Sequence, residues 1–402
     1  MKGQKATLII SGIGPTFPLY EPLSEAFDVA VYDLNAAKHL SSQLDSEVMC
    51  PQLGAGQSLV AKARNDAALL IGDVVSGLEW LKMSGIESDT LQHPERWLPG
   101  LVAGQWSEVL FHLSVLDAFA QEREIAGVVV HEDVTPKFRA LVLWAKARGI
   151  PTVHIPHGNC FLQVEPDIHA VSISDHILAA GTYMRDWYKA RGYTGKIRIT
   201  GFPLWDKWAD IGATLDKEHA RMVLHLEDRP TVMLGTGWVQ RTNFIDDHEL
   251  PEVCVHLALQ AVRDAGWQLI WKMHPGDAPN REHEYAKLAA AYRVPALVTR
   301  DHLPYAIRAA DVVLSVGPSN VLVEAGMCDR PPALFNFAGY GFDGEPPWSV
   351  ATERAQIIET VEALMNGEAW SVARDDFITR YAHRNDGGAV ARVVKAIKRI
   401  VR

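Results

Sequence analysis

Short runs of consecutive apolar, mostly β-branched residues recur along this chain, and most are followed by a stretch of helical period. "TVMLGTG" from Thr231, "WQLIWKM" from Trp267, "PALVTRD" from Pro295, "DVVLSVG" from Asp311 and "PPALFNF" from Pro331 alternate with segments such as "EVCVHLALQAVRDAG" and "EHEYAKLAAAYR". A strand that is apolar throughout has to be covered on both faces. Helices placed between such strands supply the cover, so the pattern predicts a parallel sheet with helices on either side. The first half repeats the scheme with "ATLIISG", "DVAVYDL", "AGVVVHE", "PTVHIPHG", "DHILAAG" and "KIRITGFP", and with long amphipathic helices expected over 65–83 and 102–122. A chain of 402 residues is too long for one ordinary core and suits two domains of roughly 150–200 residues. The expected division is a first α/β domain over 1–205, a linker over 206–228, a second over 229–380, and a basic amphipathic helix within 381–402 that packs back across the seam.

Composition narrows the class. The chain is 48% hydrophobic and 22% charged, which is the balance of a compact soluble protein, and it holds no apolar run of membrane-spanning length. "MKGQKATLIISGIGPTFP" reads as a first strand rather than a signal peptide. Cys50, Cys160, Cys254 and Cys328 lie far apart without CxxC pairing, the usage of reduced thiols in a cytoplasm. A net charge of −10 argues against an extended nucleic-acid surface, because phosphate binding is largely counterion release by Lys and Arg. Twelve tryptophans are more than such a core requires; helix-to-sheet packing accounts for them first, and the lining of a site second.

In open parallel sheets ligands bind beyond the carboxyl ends of the strands, so the loops there carry the chemistry. "LIWKMHPGD" leaves its strand at His274, which Pro275 biases toward extended geometry. A histidine so placed can donate to a phosphate oxygen or exchange a proton near neutrality. In "SVGPSNVLVEAG" a strand ends, Ser319 caps, and a helix opens, which is the arrangement of an anion site suited to a pyrophosphate. Asn320 would hold phosphate oxygens with Ser319, and Glu324, four residues on and on the same helical face, would accept from ribose hydroxyls. "GTGW" offers Gly235 and Gly237 for close approach to a diphosphate, and the backbone from Arg300 would face the base. In the first half "IPHGN" places His157 where it mirrors His274, and "VVVHEDVT" offers Asp133 as a carboxylate base. No HExxH or comparable spacing appears, so no protein-bound metal is expected. "SGIGPT" stops short of GxGxxG, which argues against a nicotinamide or flavin cofactor.

"KMHPGD" followed by "AADVVLSVGPSNVLVEAGMCDRPPALFNF" resembles the C-terminal half of GT-B glycosyltransferases, within them the CDP-glycerol glycerophosphotransferases and capsule-type transferases with a His-Pro motif. The likeness covers roughly residues 232–401, plus the "PHG" loop. It implies two Rossmann-like domains facing across a cleft, the first holding acceptor and the second a nucleotide donor. By the same resemblance His274 contacts donor phosphate, Ser319 matches the first serine of the family's turn, Glu324 the ribose-binding acid, and His157 the histidine near the acceptor. The family's Asp-Tyr-Ser-Ser turn is Gly-Pro-Ser-Asn here, which leaves a sugar nucleotide at least as well supported as CDP-glycerol.

The expected activity is therefore a metal-independent transfer of a glycosyl or polyol-phosphate group from a nucleotide-activated donor to an acceptor hydroxyl. Catalytic roles fall to His157, Asp133 and His274, and no cofactor is implied beyond the nucleotide substrate. Glycans and lipid-linked compounds are the expected acceptors, and the acidic balance makes nucleic acid the least favoured. The expected location is the cytoplasm, with peripheral contact at the inner membrane face compatible with it. Two other readings share the architecture: an isomerase like the UDP-N-acetylglucosamine 2-epimerases, and a nucleotide-binding relative without chemistry.

Overall fold

The computed structural model describes residues 5–54, 58–67, 105–158, 172–236, 249–278, 280–316, 319–335 and 354–401. Within these, the first half forms a six-stranded sheet from β1 (Thr7–Ile10), β2 (Asp28–Val31), β3 (Ile125–Val130), β4 (Thr152–His154), β5 (His176–Ala179) and β6 (Lys196–Ile199), in the order β2-β1-β3-β4-β5-β6. The second half forms a five-stranded sheet from β7 (Thr231–Thr236), β8 (Gln268–Lys272), β9 (Ala296–Thr299), β10 (Val312–Val316) and β11 (Pro332–Phe335), in the order β11-β10-β7-β8-β9. Every pairing is parallel. The two sheets, each flanked by helices as the apolar runs predicted, make two Rossmann-like domains consistent with the GT-B architecture that the resemblance implies.

Successive side chains explain why these runs are apolar throughout. Leu8 and Ile10 enter one core and Ile9 the opposite one; Val129 joins the first of these, and Val128 and Val130 the second. In the second sheet Val232, Leu234, Leu269 and Trp271 face one layer of helices, while Met233 and Ile270 face the other. That second layer is shared between the halves. It gathers Ile177, Tyr183 and Trp187 from the first half, Trp205 and Trp208 from the segment that follows β6, Met233 and Val313 from the second sheet, and Phe377. Most of the described tryptophans are accordingly core residues.

Both sheets change direction once. The chain steps from β1 to β2 on one side and then to β3 on the other, and from β7 through β8 and β9 before returning to β10. Crevices therefore open at the carboxyl ends of β1/β3 and of β7/β10, the places where such sheets bind ligands. The helix expected over 102–122 is present as Ser107–Ala120, whereas most of the one expected over 65–83 lies outside the described residues.

The helix Ala389–Ile400 completes the first sheet. Val393, Val394, Ala396 and Ile397 pack among Leu8, Ile10 and Leu19. Its N-terminus is held by Asp206, whose carboxylate accepts from Ala389 N at 2.7 Å and Val390 N at 2.8 Å, and Arg392 Nε donates to Thr200 O at 2.7 Å. Gly127 admits this packing, since a β-carbon there would stand 2.4 Å from Val401 Cγ1.

Candidate functional site

The His-Pro turn after β8 is built around its own histidine. Gly276 N–H donates to His274 Nδ1 at 3.0 Å, and His274 N–H donates to Asp277 Oδ2 at 2.9 Å. An Nδ1 that accepts a hydrogen bond leaves the proton of the neutral imidazole on Nε2. A histidine rather than a plain turn residue thus gives the loop an internal tie and an N–H donor of fixed tautomer. Two cations hold the turn from beneath. Arg300 donates through Nη1 to Pro275 O at 3.0 Å and His274 O at 3.4 Å, and through Nη2 to Asp277 O at 2.9 Å and Ala278 O at 3.2 Å. Lys272, buried at the end of β8, donates to Met273 O at 3.1 Å and to Arg300 O. The Arg300 side chain thus engages the turn's carbonyls, and its own carbonyl engages Lys272.

Beyond β10, Ser319 caps the helix Asn320–Met327, accepting from Val321 N at 3.4 Å. Glu324 is half-buried on that helix. Burial raises its pKa to about 7 against the pull of Lys207, the indole N–H groups of Trp208 and Trp205, and Lys272. Glu324 therefore changes charge near neutrality, under the influence of Lys207, Trp208, Trp205 and the β8 lysine. Gly235 lies inside β7, paired with Ser315 and Lys272, rather than in the loop expected after the strand, and a β-carbon there would meet Val321 Cγ1 at an ordinary 3.4 Å. Gly237 falls outside the described residues.

On the first domain, Ser11 and His131 stand at the carboxyl ends of β1 and β3, both buried. Ser11 Oγ pairs with Thr16 Oγ1 at 2.8 Å and accepts from His131 N at 3.2 Å. His157, exposed beyond β4, stands with its ring 6.2 Å from that of His131, and its Cβ lies 4.0 Å from where a β-carbon on Gly14 would be. The next residue, Gly158, meets the second domain. Asn320 Nδ2 lies 3.0 Å from the position of a β-carbon on Gly158, so the His-Gly loop and the start of the Asn320–Met327 helix are in contact across the cleft.

Asp133 is placed differently from its neighbours. It is fully buried, and its Oδ2 accepts from Ser172 Oγ at 2.7 Å, Ile173 N at 2.9 Å, Ser174 Oγ at 2.8 Å and Ser174 N at 3.0 Å. Burial alone would raise its pKa, but His154 and these donors hold it below the usual carboxylate range. A carboxylate so engaged ties the strand exits together and has little basicity to offer an acceptor. Two participants escaped the sequence reading, Lys272 and His131. Lys272 was visible as the one charged residue in "LIWKM"; nothing in "VVVHEDVT" separates His131 from the acids beside it.

Among the described residues no cluster of His, Cys, Asp or Glu could hold a metal ion, and no helix is long and apolar enough to cross a membrane. No protein-family model and no curated protein matches the sequence. Solved structures do match in fold. UDP-GlcNAc 2-epimerase from Neisseria meningitidis, bound to UDP-GlcNAc, aligns over 98% of this chain and 100% of its own at 12% identity and a TM-score of 0.55. The enzyme of that name from Methanocaldococcus jannaschii, in complex with UDP-GlcNAc and UDP, aligns over 98% and 100% at 14% identity and a TM-score of 0.57. The wall teichoic acid polymerase TagF aligns over 98% and 88% at 10% identity and a TM-score of 0.49. At these identities the likeness is one of fold.

Proposed function

We propose that this protein is a transferase that moves a glycosyl or polyol-phosphate group from a nucleotide-activated donor to an acceptor hydroxyl. The observation that carries the reading is the contact of Gly158 with Asn320, which brings the loop of the exposed His157 against the N-terminal end of the Asn320–Met327 helix. In this reading the donor's diphosphate lies over the turn at His274 and the start of the helix at Ser319 and Asn320. Charge that develops on the departing nucleotide is met by the Nε2–H of His274 and by helix N–H groups, fixed before the reaction starts. His157 takes the proton of the acceptor hydroxyl as its oxygen bonds to the donor's carbon or phosphorus. Glu324 contacts the ribose. Arg300 and Lys272 act on the turn, and Asp133 is an anchor.

Because the fold-related epimerases carry UDP-GlcNAc or UDP, uridine nucleotides are the first donors to try, with GDP-, CDP- and CMP-activated compounds beside them. The test is a thermal-shift and mass-spectrometric screen of these donors, without acceptor and then with polyols and glycans. Stabilisation by one nucleotide family, lost in His274→Ala, supports the reading. Conversion of the sugar without any acceptor supports the isomerase instead, and binding without turnover the non-catalytic relative.

A further inference from the structure

We propose that His131 forms the acceptor subsite of the β1/β3 crevice, and that the compound it takes is a neutral polyol or sugar rather than an anion. The inference rests on the transferase reading of the cleft and names its acceptor. His131 stands at the point where the first sheet reverses direction, the position from which an open parallel sheet presents ligands. Its side chain is buried to 9% exposure and stands edge-on to Phe138 at 4.8 Å between ring centroids and to His157 at 6.2 Å. Its Nδ1 is buried and, among the described residues, has no hydrogen-bond partner. Buried ring nitrogens are almost always paired, so an unpaired one at the switch point of the sheet is best explained by a partner that arrives with a ligand.

The surroundings select the ligand's charge. Lys137, whose charge acts on His131, is bound to Asp33 at 2.6 Å and is not left to neutralise an anion. Burial holds His131 down to about 3, with His157, His154 and Lys137 acting in the same direction and Asp33 against them, so it stays uncharged at working pH. A neutral imidazole offers one donor and one acceptor, which together complement a hydroxyl, whereas a phosphate oxygen would use the donor alone. The ring spacing fits one oxygen within about 2.8 Å of a nitrogen on each histidine. His131 then holds the acceptor oxygen while His157 receives its proton. The oxygen bonds to the donor's carbon or phosphorus, and the nucleotide departs with the electron pair of the broken bond.

Imidazole nitrogen NMR on the full chain, without nucleotide, tests this. Glycerol, methyl glucoside and inorganic phosphate are titrated in turn, and the His131 signals are assigned by their loss in His131→Phe, which keeps a ring against Phe138. The expected result is that one or both polyols move the His131 and His157 signals together, that phosphate leaves His131 unmoved, and that His131→Phe weakens the polyol response of His157 about tenfold. His131 signals that stay put with both polyols, or that follow phosphate instead, overturn the proposal. A chain that bound polyol here but no nucleotide in the donor screen would sink the transferase reading and leave the subsite standing.

Discussion

Replacing Arg300 by alanine isolates the turn that presents His274. The guanidinium makes two well-formed bonds, to Pro275 O at 3.0 Å and Asp277 O at 2.9 Å, and two longer ones at 3.2 and 3.4 Å. With roughly 1.5 kcal/mol for each of the two better bonds, at the low end for a charged donor because the group is partly exposed, about 3 kcal/mol holds the turn in its closed form. Its loss lowers the closed-to-open ratio by on the order of a hundredfold, and a nucleotide that needs the closed turn must restore it on binding. Nucleotide affinity should therefore fall by up to about 100-fold, while the melting temperature drops by only a few degrees, since the opening is local. Calorimetric titration of the nucleotide with the largest thermal shift measures this in wild type, Arg300→Ala, His274→Gln and the double variant. If Arg300 acts through His274, the double variant binds no more weakly than His274→Gln alone. Losses that multiply instead would mean that Arg300 touches the nucleotide itself, and would refute the account of the turn.

Glu324 gives a prediction with a definite sign. Its folded pKa of about 7 lies above the ordinary glutamate value, so the folded state binds the extra proton and stability falls as pH rises through the interval from about 4.5 to 7. Glu324→Gln should gain on the order of 2 kcal/mol over wild type at pH 8 and little at pH 4.5, read by denaturant melts at both; equal effects at the two pH values would remove the burial argument. Asp133→Asn replaces an acceptor of four bonds and should cost about 3 kcal/mol or more in the same melts, with the pH profile of the surviving activity unchanged if the residue is an anchor. Gly158→Ala puts a methyl group 3.0 Å from Asn320 Nδ2 and should loosen the contact between the His-Gly loop and the start of the Asn320–Met327 helix with little loss of stability, in the presence of nucleotide as in its absence. Scattering with and without nucleotide reads it.

The sheets were legible in the sequence because burial on both faces leaves the same mark on every strand, and a mark repeated along the chain tolerates local exceptions. The site was legible only in part. His274, Ser319 and His157 stand out as candidates by strand-exit position and by Pro or Gly beside them, which is local information. The roles of Arg300 and Asp133 depend on what their side chains meet: carbonyls 22 to 26 residues away for Arg300, and Ser172 and Ser174 for Asp133. No periodicity encodes such partners. Gly235 shows the limit in reverse, because a Gly-Thr-Gly run reads as a loop although the strand continues through its first two residues. His131 stands at a strand exit too, but in a run of three adjacent polar residues with no Pro or Gly beside it to single it out.

The helix Ala389–Ile400 has a consequence for how the molecule comes into being. Its apolar face fills the core beside β1, so the first sheet to leave the ribosome is among the last parts to be finished. At ordinary synthesis rates the strands of the first domain wait on the order of tens of seconds for that helix, with part of one apolar face uncovered. The second sheet meets its own covering helices sooner and can settle first. A chain stalled before Ala389 would thus carry a completed second sheet and a first domain exposed to chaperones and proteases, so the order of synthesis and the order of folding run in opposite directions.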